Sequence, residues 1–399
     1  MRGPTAQESS GGVAALGRDG RERFYVRELD GIRFFAFLAV FLLHASSRIP
    51  TLPAGGVRWN SLQWWTSSTI LAGGFGVDLF FVLSSFLITS LLVRELEGRG
   101  RIDVAAFWMR RILRIWPLYY GFVLLCWVFE RLPGRMVAGF ALFSGNWALL
   151  TWPMPHRSAI GPLWSVSVEE QFYLVWPLLL AVLPRRFLRP VCVGMIGLAV
   201  GARWVILANG GGIERVWLNT LAHFDSIAVG ALIALAGVGG RLKLGLPARV
   251  SLGVGAPIVV VVSTGILWHG LLRPSSEAGR LLIIPGSELM ASALFLLVAL
   301  VFGGVILAVL ASRGSWLGNP ALVYLGRISY GLYVFHIVAI RMVEDWGPWR
   351  YLAAFAITLL MASVSFRFLE QPFLRLKERF TYVHSTPSPP AVAETAEES

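Results

Sequence analysis

An arginine and a histidine lie eleven residues apart in an apolar segment, residues 29–44, with the sequence LDGIRFFAFLAVFLLH. Eleven residues at about 100° each make close to three helical turns, so Arg33 and His44 are predicted to share one helix face, about 16 Å apart along the axis. Ionisable residues within a membrane helix are costly and indicate a functional site when they face protein or water. The alternative is that Arg33 snorkels to the headgroups and His44 only packs within the protein.

Two carboxylates, Asp78 and Glu169, are predicted in the same half of the membrane as His44. Asp78 lies near the start of FGVDLFFVLSSFLITSLL, and Glu169 lies in GPLWSVSVEEQFYLVWP beside Glu170. A carboxylate at this depth could orient an imidazole that acts as a base. The alternatives are that Asp78 caps a helix and that Glu169 belongs to a buried, hydrogen-bonded pair.

Other polar side chains are also expected in this outer half, namely Asn146, His223 with Asp225, and His336 in ISYGLYVFH. Each of them alone is more often structural than functional. Together they indicate a hydrated cavity that opens outward.

Three arginines occur together in FWMRRILRIWPLYY, at the predicted cytoplasmic mouth of a membrane helix. Arg110 and Arg114 share a helix face, and Arg111 is three residues from Arg114. Guanidinium groups suit bidentate contacts with phosphate. The alternative is that these arginines only anchor the helix on the cytoplasmic side.

The composition is that of a membrane protein that crosses the bilayer several times. Of 399 residues, 56% are hydrophobic and 15% are charged, whereas a soluble domain carries about 25% charged residues. The net charge of +12 is explained by arginines in cytoplasmic loops, so no nucleic-acid partner is expected. The two cysteines, Cys126 and Cys192, lie in apolar runs, and neither a disulfide framework nor a metal site is predicted.

The apolar stretches predict an all-α membrane domain with about ten transmembrane helices. Arginine-rich segments fall in alternate loops, so both termini are predicted to be cytoplasmic. This alternation holds only if residues 135–151 form a re-entrant or short helix. The predicted crossings are 30–48, 74–93, 114–130, 163–183, 190–208, 217–238, 248–270, 287–311, 322–342 and 350–370.

Three regions follow from this topology. Residues 1–28 are expected to be a cytoplasmic tail, and residues 29–371 the membrane domain. Residues 372–399 are expected to be a second cytoplasmic tail, disordered from about residue 382 because it is rich in Pro, Ser and Ala.

These motifs, in this order, resemble those of the acyltransferase family 3 membrane proteins. Arg33 and His44 match the family's Arg-X10-His, and Arg111 and Arg114 match its Arg-X-X-Arg. FGVDLFFVLSSFLI resembles the Gly-Val-Asp-Phe-Phe element, and WSVSVE, which ends at Glu169, resembles Trp-Ser-Leu-X-X-Glu. SYGLYVFH and FRFLEQP resemble the C-terminal elements, so the resemblance covers about residues 28–375.

The resemblance implies a bacterial inner-membrane enzyme that transfers an acyl group, most simply acetyl, from cytoplasmic acyl-CoA to a hydroxyl of a cell-envelope carbohydrate. His44 would be the base, Arg33 would guide the donor, and Glu169 would orient His44 or bind the acceptor. No permanently bound cofactor is expected. The catalytic candidates are His44, Glu169, Arg33 and Asp78, and the donor-binding candidates are Arg110, Arg111, Arg114 and Arg33.

Two other functions remain open at the level of the sequence. The acceptor could be a macrolide-type metabolite, since the family includes macrolide O-acyltransferases and no motif defines the acceptor pocket. Intramembrane His, Asp and Glu residues are also used by proton-coupled transporters and flippases. Within acyl transfer, a covalent acyl-histidine relay is a variant of the mechanism. Family members often carry an extracytoplasmic SGNH domain, and none is expected in these 399 residues.

Overall fold

The computed structural model describes residues 15–16, 22–46, 61–152, 158–237, 245–274, 281–312 and 314–383. The described chain is helical apart from two short antiparallel strand pairs, so the predicted helical class is confirmed. The pairs are β1 (Ala15–Leu16) with β2 (Glu22–Arg23) and β3 (Leu272–Pro274) with β4 (Leu281–Ile283). The α-helices are α1 (Arg27–Ala45), α2 (Leu62–Ala72), α3 (Gly76–Arg99), α4 (Val104–Glu130), α5 (Gly134–Ala141), α6 (Gly145–Thr151), α7 (Trp164–Val182), α8 (Arg185–Ala208), α9 (Ile213–Leu218), α10 (Phe224–Leu235), α11 (Leu246–Gly265), α12 (Glu288–Ala311), α13 (Pro320–Arg327), α14 (Ser329–Met342), α15 (Arg350–Ser365) and α16 (Gln371–Lys377).

Five helical segments of the described chain are long and apolar enough to cross a membrane, and a bent pair, α13 with α14, makes a sixth. Each of the ten predicted crossings coincides with a helix. Four of these helices are shorter or more polar than the helices that could cross a membrane. In α7, for instance, Glu169, Glu170 and Gln171 lower the mean hydropathy. A multi-pass membrane protein is supported, while the count of ten and the cytoplasmic termini remain predictions. The five segments are Leu62–Arg99, Val104–Glu130, Arg185–Ala208, Glu288–Ala311 and Gly347–Phe380.

The segment predicted to be re-entrant or short forms two short helices, α5 and α6, separated by a turn at residues 142–144. At 8 and 7 residues, neither helix is long enough to span hydrocarbon alone. Backbone groups at the turn need partners within the protein. The Gln171 side chain donates a hydrogen bond to the Phe143 carbonyl at 2.8 Å, and Asn146 donates one to the Leu218 carbonyl at 3.0 Å.

Close contacts with neighbouring helices hold α1, which carries Arg33 and His44, and α3, which carries Asp78. A Cβ on Gly326 of α13 would overlap the carbonyl oxygen of Asp30 in α1. A Cβ on Gly230 of α10 would overlap the carbonyl of Val82 in α3. Small residues permit such backbone-to-backbone approach between membrane helices. Helix packing therefore positions Asp30, which in turn pairs with Arg33. It positions Asp78 in the same way.

Candidate active site

His44 contacts a second histidine, His336 of α14, which lies 292 residues later in the chain. The Nδ1 atom of His44 lies 3.2 Å from Nε2 of His336 and 3.0 Å from the Val40 carbonyl oxygen. Nδ1 of His336 lies 2.5 Å from the Tyr333 carbonyl oxygen, and the His336 side chain is completely buried. The sequence identified His336 only as one of several polar residues. Its contact with His44 depends on tertiary packing between α1 and α14.

A cavity of about 610 Å³ lies beside His44. The cavity has the size of a small-molecule site, in which aromatic walls and a few polar groups bind the ligand. The polar residues from which a hydrated cavity was predicted, Asn146, His223, Asp225 and His336, do not line this cavity, so the predicted outward-opening cavity stays a prediction. The aromatic lining residues are Trp164, Trp217 and Tyr351, and the charged ones are Glu214, Arg341, Glu344 and Arg350.

Asp78 contacts an imidazole, but it is that of His223 and not that of His44. Oδ1 of Asp78 lies 3.0 Å from Nδ1 of His223 and accepts a hydrogen bond from the Ser226 hydroxyl at 2.9 Å. Among the described residues, Asp78 therefore makes no hydrogen bond to His44, and its expected electrostatic support of His44 stays a prediction. Gly230 lets α10 approach α3 closely, and this approach brings His223 to Asp78. The sequence placed His223 in the same half of the membrane but could not show that the two residues pair.

A second buried pair adjoins His223. Arg203 of α8 is 2.6 Å from the Asp225 carboxylate and also donates to the Ala222 carbonyl. Both side chains are 1% exposed. Breaking a buried ion pair of this kind is costly, because it leaves an uncompensated charge in the protein interior. The pair therefore holds α8 against the start of α10, where His223 lies.

Glu169 faces the arginines and makes no hydrogen bond to His44. Its carboxylate accepts hydrogen bonds from Ser84 at 3.0 Å and from Tyr173 at 3.1 Å. Arg33 and Arg111 are close enough to attract this carboxylate electrostatically. Tyr173 is one turn beyond Glu169 on the same face of α7, which explains why both side chains point toward the arginines. Of the two roles expected for Glu169, orienting His44 is not supported by a hydrogen bond among the described residues, and binding the acceptor stays a prediction.

The arginines Arg33, Arg111 and Arg114 form a partly buried cationic cluster. Arg33 pairs with Asp30 at 2.8 Å. In the described part of the chain, neither Arg111 nor Arg114 has a carboxylate within 4 Å. The Nε atom of Arg111 is buried and has no hydrogen-bond partner among the described residues. This cluster has unsatisfied capacity for an anion, because guanidinium groups bind phosphate oxygens through several N–H donors.

Arg110 makes contacts different from those of Arg111 and Arg114, with which the sequence groups it as a donor-binding candidate. Its guanidinium pairs with Glu95 at 3.2 Å and donates to the Phe380 carbonyl at 2.6 Å. Adjacent positions on a helix point in different directions, so Arg110 and Arg111 contact different neighbours. Arg110 therefore links α3, α4 and the end of the described chain.

The helix face between Arg33 and His44 is apolar. Phe37 and Val40, which lie between them on α1, are 0% and 1% exposed. Phe37 contacts His336 edge-on, with the ring centroids 6.2 Å apart. The shared face follows from the predicted helix, but its middle is closed by packed side chains, so the cationic cluster and the cavity at His44 are separate sites in this structure.

The chain matches the sequence profile of a family described as "Acyltransferase domain" over residues 26–367. Among similar proteins, the peptidoglycan O-acetyltransferase OatA of Listeria monocytogenes is 26% identical over 384 residues. YrhL of Bacillus subtilis, provisionally named a peptidoglycan O-acetyltransferase, is 27% identical over 398 residues. These alignments cover 88% and 90% of this chain but 56% and 57% of the relatives, so the chain spans little more than half of their length. No solved structure gives a significant match.

Proposed function

Because the chain belongs to the acyltransferase family whose profile matches residues 26–367, we propose that it is a membrane O-acyltransferase that transfers an acetyl group to a hydroxyl of a cell-envelope carbohydrate. The donor in this proposal is acetyl-CoA, supplied from the cytoplasm, and the protein lies in the bacterial plasma membrane. The acceptor class is suggested by two relatives, which are named as acting on peptidoglycan.

The observation that carries this proposal is the position of His44 in the wall of the 610 Å³ cavity. Imidazole is the side chain best matched to proton transfer near neutral pH. The tryptophans Trp164 and Trp217 in the same wall offer flat apolar faces, and Glu214 offers a hydrogen-bond acceptor. These groups suit a hydroxylated acceptor whose O–H must approach the imidazole.

The cationic cluster of Arg33, Arg111 and Arg114 supports acetyl-CoA as the donor. CoA carries several phosphate groups. Among the described residues, neither Arg111 nor Arg114 has a carboxylate within 4 Å, and the buried Nε atom of Arg111 has no hydrogen-bond partner. Phosphate contacts from Arg111 and Arg114 would hold the nucleotide end of the donor. The acyl end would then have to pass the packed side chain of Phe37 to reach His44.

In the reaction that we propose, His44 acts as the general base. The acceptor hydroxyl gives its proton to His44 while its oxygen attacks the thioester carbonyl carbon. The tetrahedral intermediate then collapses with cleavage of the C–S bond, and the CoA thiolate leaves. His44 then gives its proton to the sulfur of the CoA thiolate, so that the products are the acetyl ester and free CoA. General acid–base catalysis of this kind accelerates reactions by about 10²- to 10⁴-fold.

The test of this proposal is a chemical analysis of the cell envelope. A strain from which the gene is deleted should lose ester-linked acetate from an envelope glycan, and the wild-type gene should restore it. The His44→Ala gene should not restore it, although the variant protein reaches the membrane in equal amount. An unchanged acetate content in the deletion strain would reject the proposal and favour a macrolide acceptor or a transport function.

A further inference from the structure

We infer that His336 is a positioning residue, which directs the lone pair of His44 toward the acceptor and stabilises the imidazolium that forms when His44 takes the proton. This inference rests on the proposed function, since it concerns the same base. It is carried by the hydrogen-bond geometry of the two rings and by the burial of His336.

The protonation of His336 follows from its neighbours. Its Nδ1 atom lies 2.5 Å from the Tyr333 carbonyl oxygen, and a carbonyl oxygen can only accept a hydrogen bond. Nδ1 of His336 therefore carries a proton. In a neutral ring the other nitrogen, Nε2, then has the lone pair. That lone pair points at His44.

The tautomer of His44 follows in the same way. Its Nδ1 atom faces two acceptors, the Val40 carbonyl oxygen at 3.0 Å and the Nε2 lone pair of His336 at 3.2 Å. Both contacts are favourable when Nδ1 of His44 carries the proton and shares it between the two acceptors in a three-centre hydrogen bond. In the neutral ring this leaves the lone pair on Nε2 of His44, the nitrogen that can receive a proton.

The reverse arrangement is disfavoured by the same geometry. If His336 donated from Nε2, both of its nitrogens would be protonated and a charged ring would be completely buried. The unprotonated Nδ1 of His44 would then face the lone pairs of the Val40 carbonyl at 3.0 Å. Of the two arrangements, the contacts that the described residues make with these rings therefore favour the one in which Nδ1 of His44 donates to Nε2 of His336.

Packing holds His336 in this orientation. Phe37 contacts its ring edge-on at 6.2 Å, and the Tyr333 ring lies 5.5 Å away. The Tyr333 hydroxyl is held in turn by Ser165 at 2.8 Å and by the Pro162 carbonyl at 2.9 Å. Because the His336 ring is held on several sides, its Nε2 lone pair can stay directed at Nδ1 of His44 throughout the reaction. A second residue can orient a catalytic base in this way.

The hydrogen bond between His44 and His336 should affect the rate only in the step in which His44 becomes charged. When His44 accepts the acceptor's proton at Nε2, its Nδ1–H donates from an imidazolium, and the hydrogen bond to His336 strengthens. Removing that acceptor should lower kcat by about 10- to 100-fold, the equivalent of one charge-assisted hydrogen bond. The KM values for donor and acceptor should change little, because His336 contacts neither substrate in this proposal.

Two amide variants test the inference, because they differ only in reach. The side-chain oxygen of Gln extends to about the position of the imidazole Nε2, so His336→Gln can still accept a hydrogen bond from His44. The shorter side chain of His336→Asn stops near the position of Nδ1 and can reach the Tyr333 carbonyl but not His44. We expect His336→Gln to keep kcat within about threefold of wild type and His336→Asn to lose about 10- to 100-fold.

The measurement is steady-state acetyl transfer by purified full-length protein, with labelled acetyl-CoA and a glycan acceptor. Melting of the variants in detergent serves as the folding control. Equal kcat values for stably folded His336→Asn and wild-type protein would overturn the inference. Equally large losses of kcat in both variants with normal folding would also overturn it, because the hydrogen bond that His336→Gln retains would then make no difference to the rate.

This experiment separates failure of the inference from failure of the proposed function. If wild-type protein transfers no acetyl group, the proposed function is wrong. If wild-type protein is active and His44→Ala is inactive, the base is confirmed, and the two amide variants alone decide the role of His336.

Discussion

The carboxylate of Asp78 lies 3.0 Å from Nδ1 of His223, and the other ring nitrogen of His223 lies 2.8 Å from the Trp217 carbonyl oxygen. The His223 ring also packs against the Trp164 ring, with centroids 5.4 Å apart. Trp164 and Trp217 both line the cavity beside His44. The pair therefore supports two residues of the cavity wall, and we expect any effect of Asp78 on catalysis to come from the shape of that wall.

The first prediction concerns the stability of this pair. Asp78→Ala should lower the free energy of unfolding by about 3 kcal/mol, because it leaves His223 buried without its partner. Thermal unfolding of purified protein in detergent measures the change. The variant should also bind the acceptor more weakly, since Trp217 loses its support.

An exposed ion pair supplies the matched control. Arg185 and Glu97 lie 3.1 Å apart, and their side chains are 53% and 55% exposed. Exposed pairs contribute about 0–1 kcal/mol, so Glu97→Gln should unfold almost like wild type. If Asp78→Ala were as stable as Glu97→Gln, the pair with His223 would not support the cavity wall.

The second prediction concerns the donor. Arg111→Ala and Arg114→Ala should each raise the KM for acetyl-CoA by about 10- to 100-fold, which corresponds to the loss of a charge-assisted contact worth about 1.5–3 kcal/mol. Lys at either position should recover only part of the loss, because an ammonium group cannot make the bidentate contact. Initial rates at varied acetyl-CoA concentration measure the effect.

Arg110 is the control for these arginines, since Glu95 and the Phe380 carbonyl already occupy its guanidinium. Arg110→Gln should lower the melting temperature and leave the KM for acetyl-CoA nearly unchanged. A large increase in KM for Arg110→Gln, with normal KM values for the alanine variants of Arg111 and Arg114, would move the donor site to Arg110.

The third prediction concerns sidedness. Glu214 is exposed and lines the cavity, and Gly100 is exposed after α3. By the distribution of arginines, the loop at Glu214 is outside and the loop at Gly100 is cytoplasmic. In protein that lacks Cys126 and Cys192, Glu214→Cys should react with a membrane-impermeant thiol reagent on intact cells. Gly100→Cys should react only after permeabilisation, and the opposite pattern would invert the topology.

The helices themselves could be predicted from the sequence because long apolar stretches are a local signal. All ten predicted crossings coincide with helices, and the segment at 135–151 forms short helices as expected. The number that crosses could not be fixed, because α1 and α7 combine apolar residues with buried charges such as Asp30 and Glu170. Such charges lower the hydropathy of a segment even when neighbouring helices shield them from lipid. Hydropathy alone therefore cannot show whether the segment crosses the membrane.

The individual candidate residues were visible in the sequence, but their partners were not. The spacing of Arg33 and His44 defines a helix face, yet it does not show that Phe37 and Val40 close the face between them. The contact of His44 with His336 spans 292 residues, and that of Asp78 with His223 spans 145. Such contacts depend on which helices pack together, and local spacing holds no information about that.

The most direct test of the account is acetyl transfer by purified protein that differs only at His44. Wild-type protein, supplied with acetyl-CoA labelled in the acetyl group and a hydroxylated glycan, should form a labelled ester that alkali releases as acetate. His44→Ala should retain normal folding and lose about 100-fold or more of this rate, the contribution of a general base. Ester formation by His44→Ala at the wild-type rate would contradict the assignment of His44 as the base.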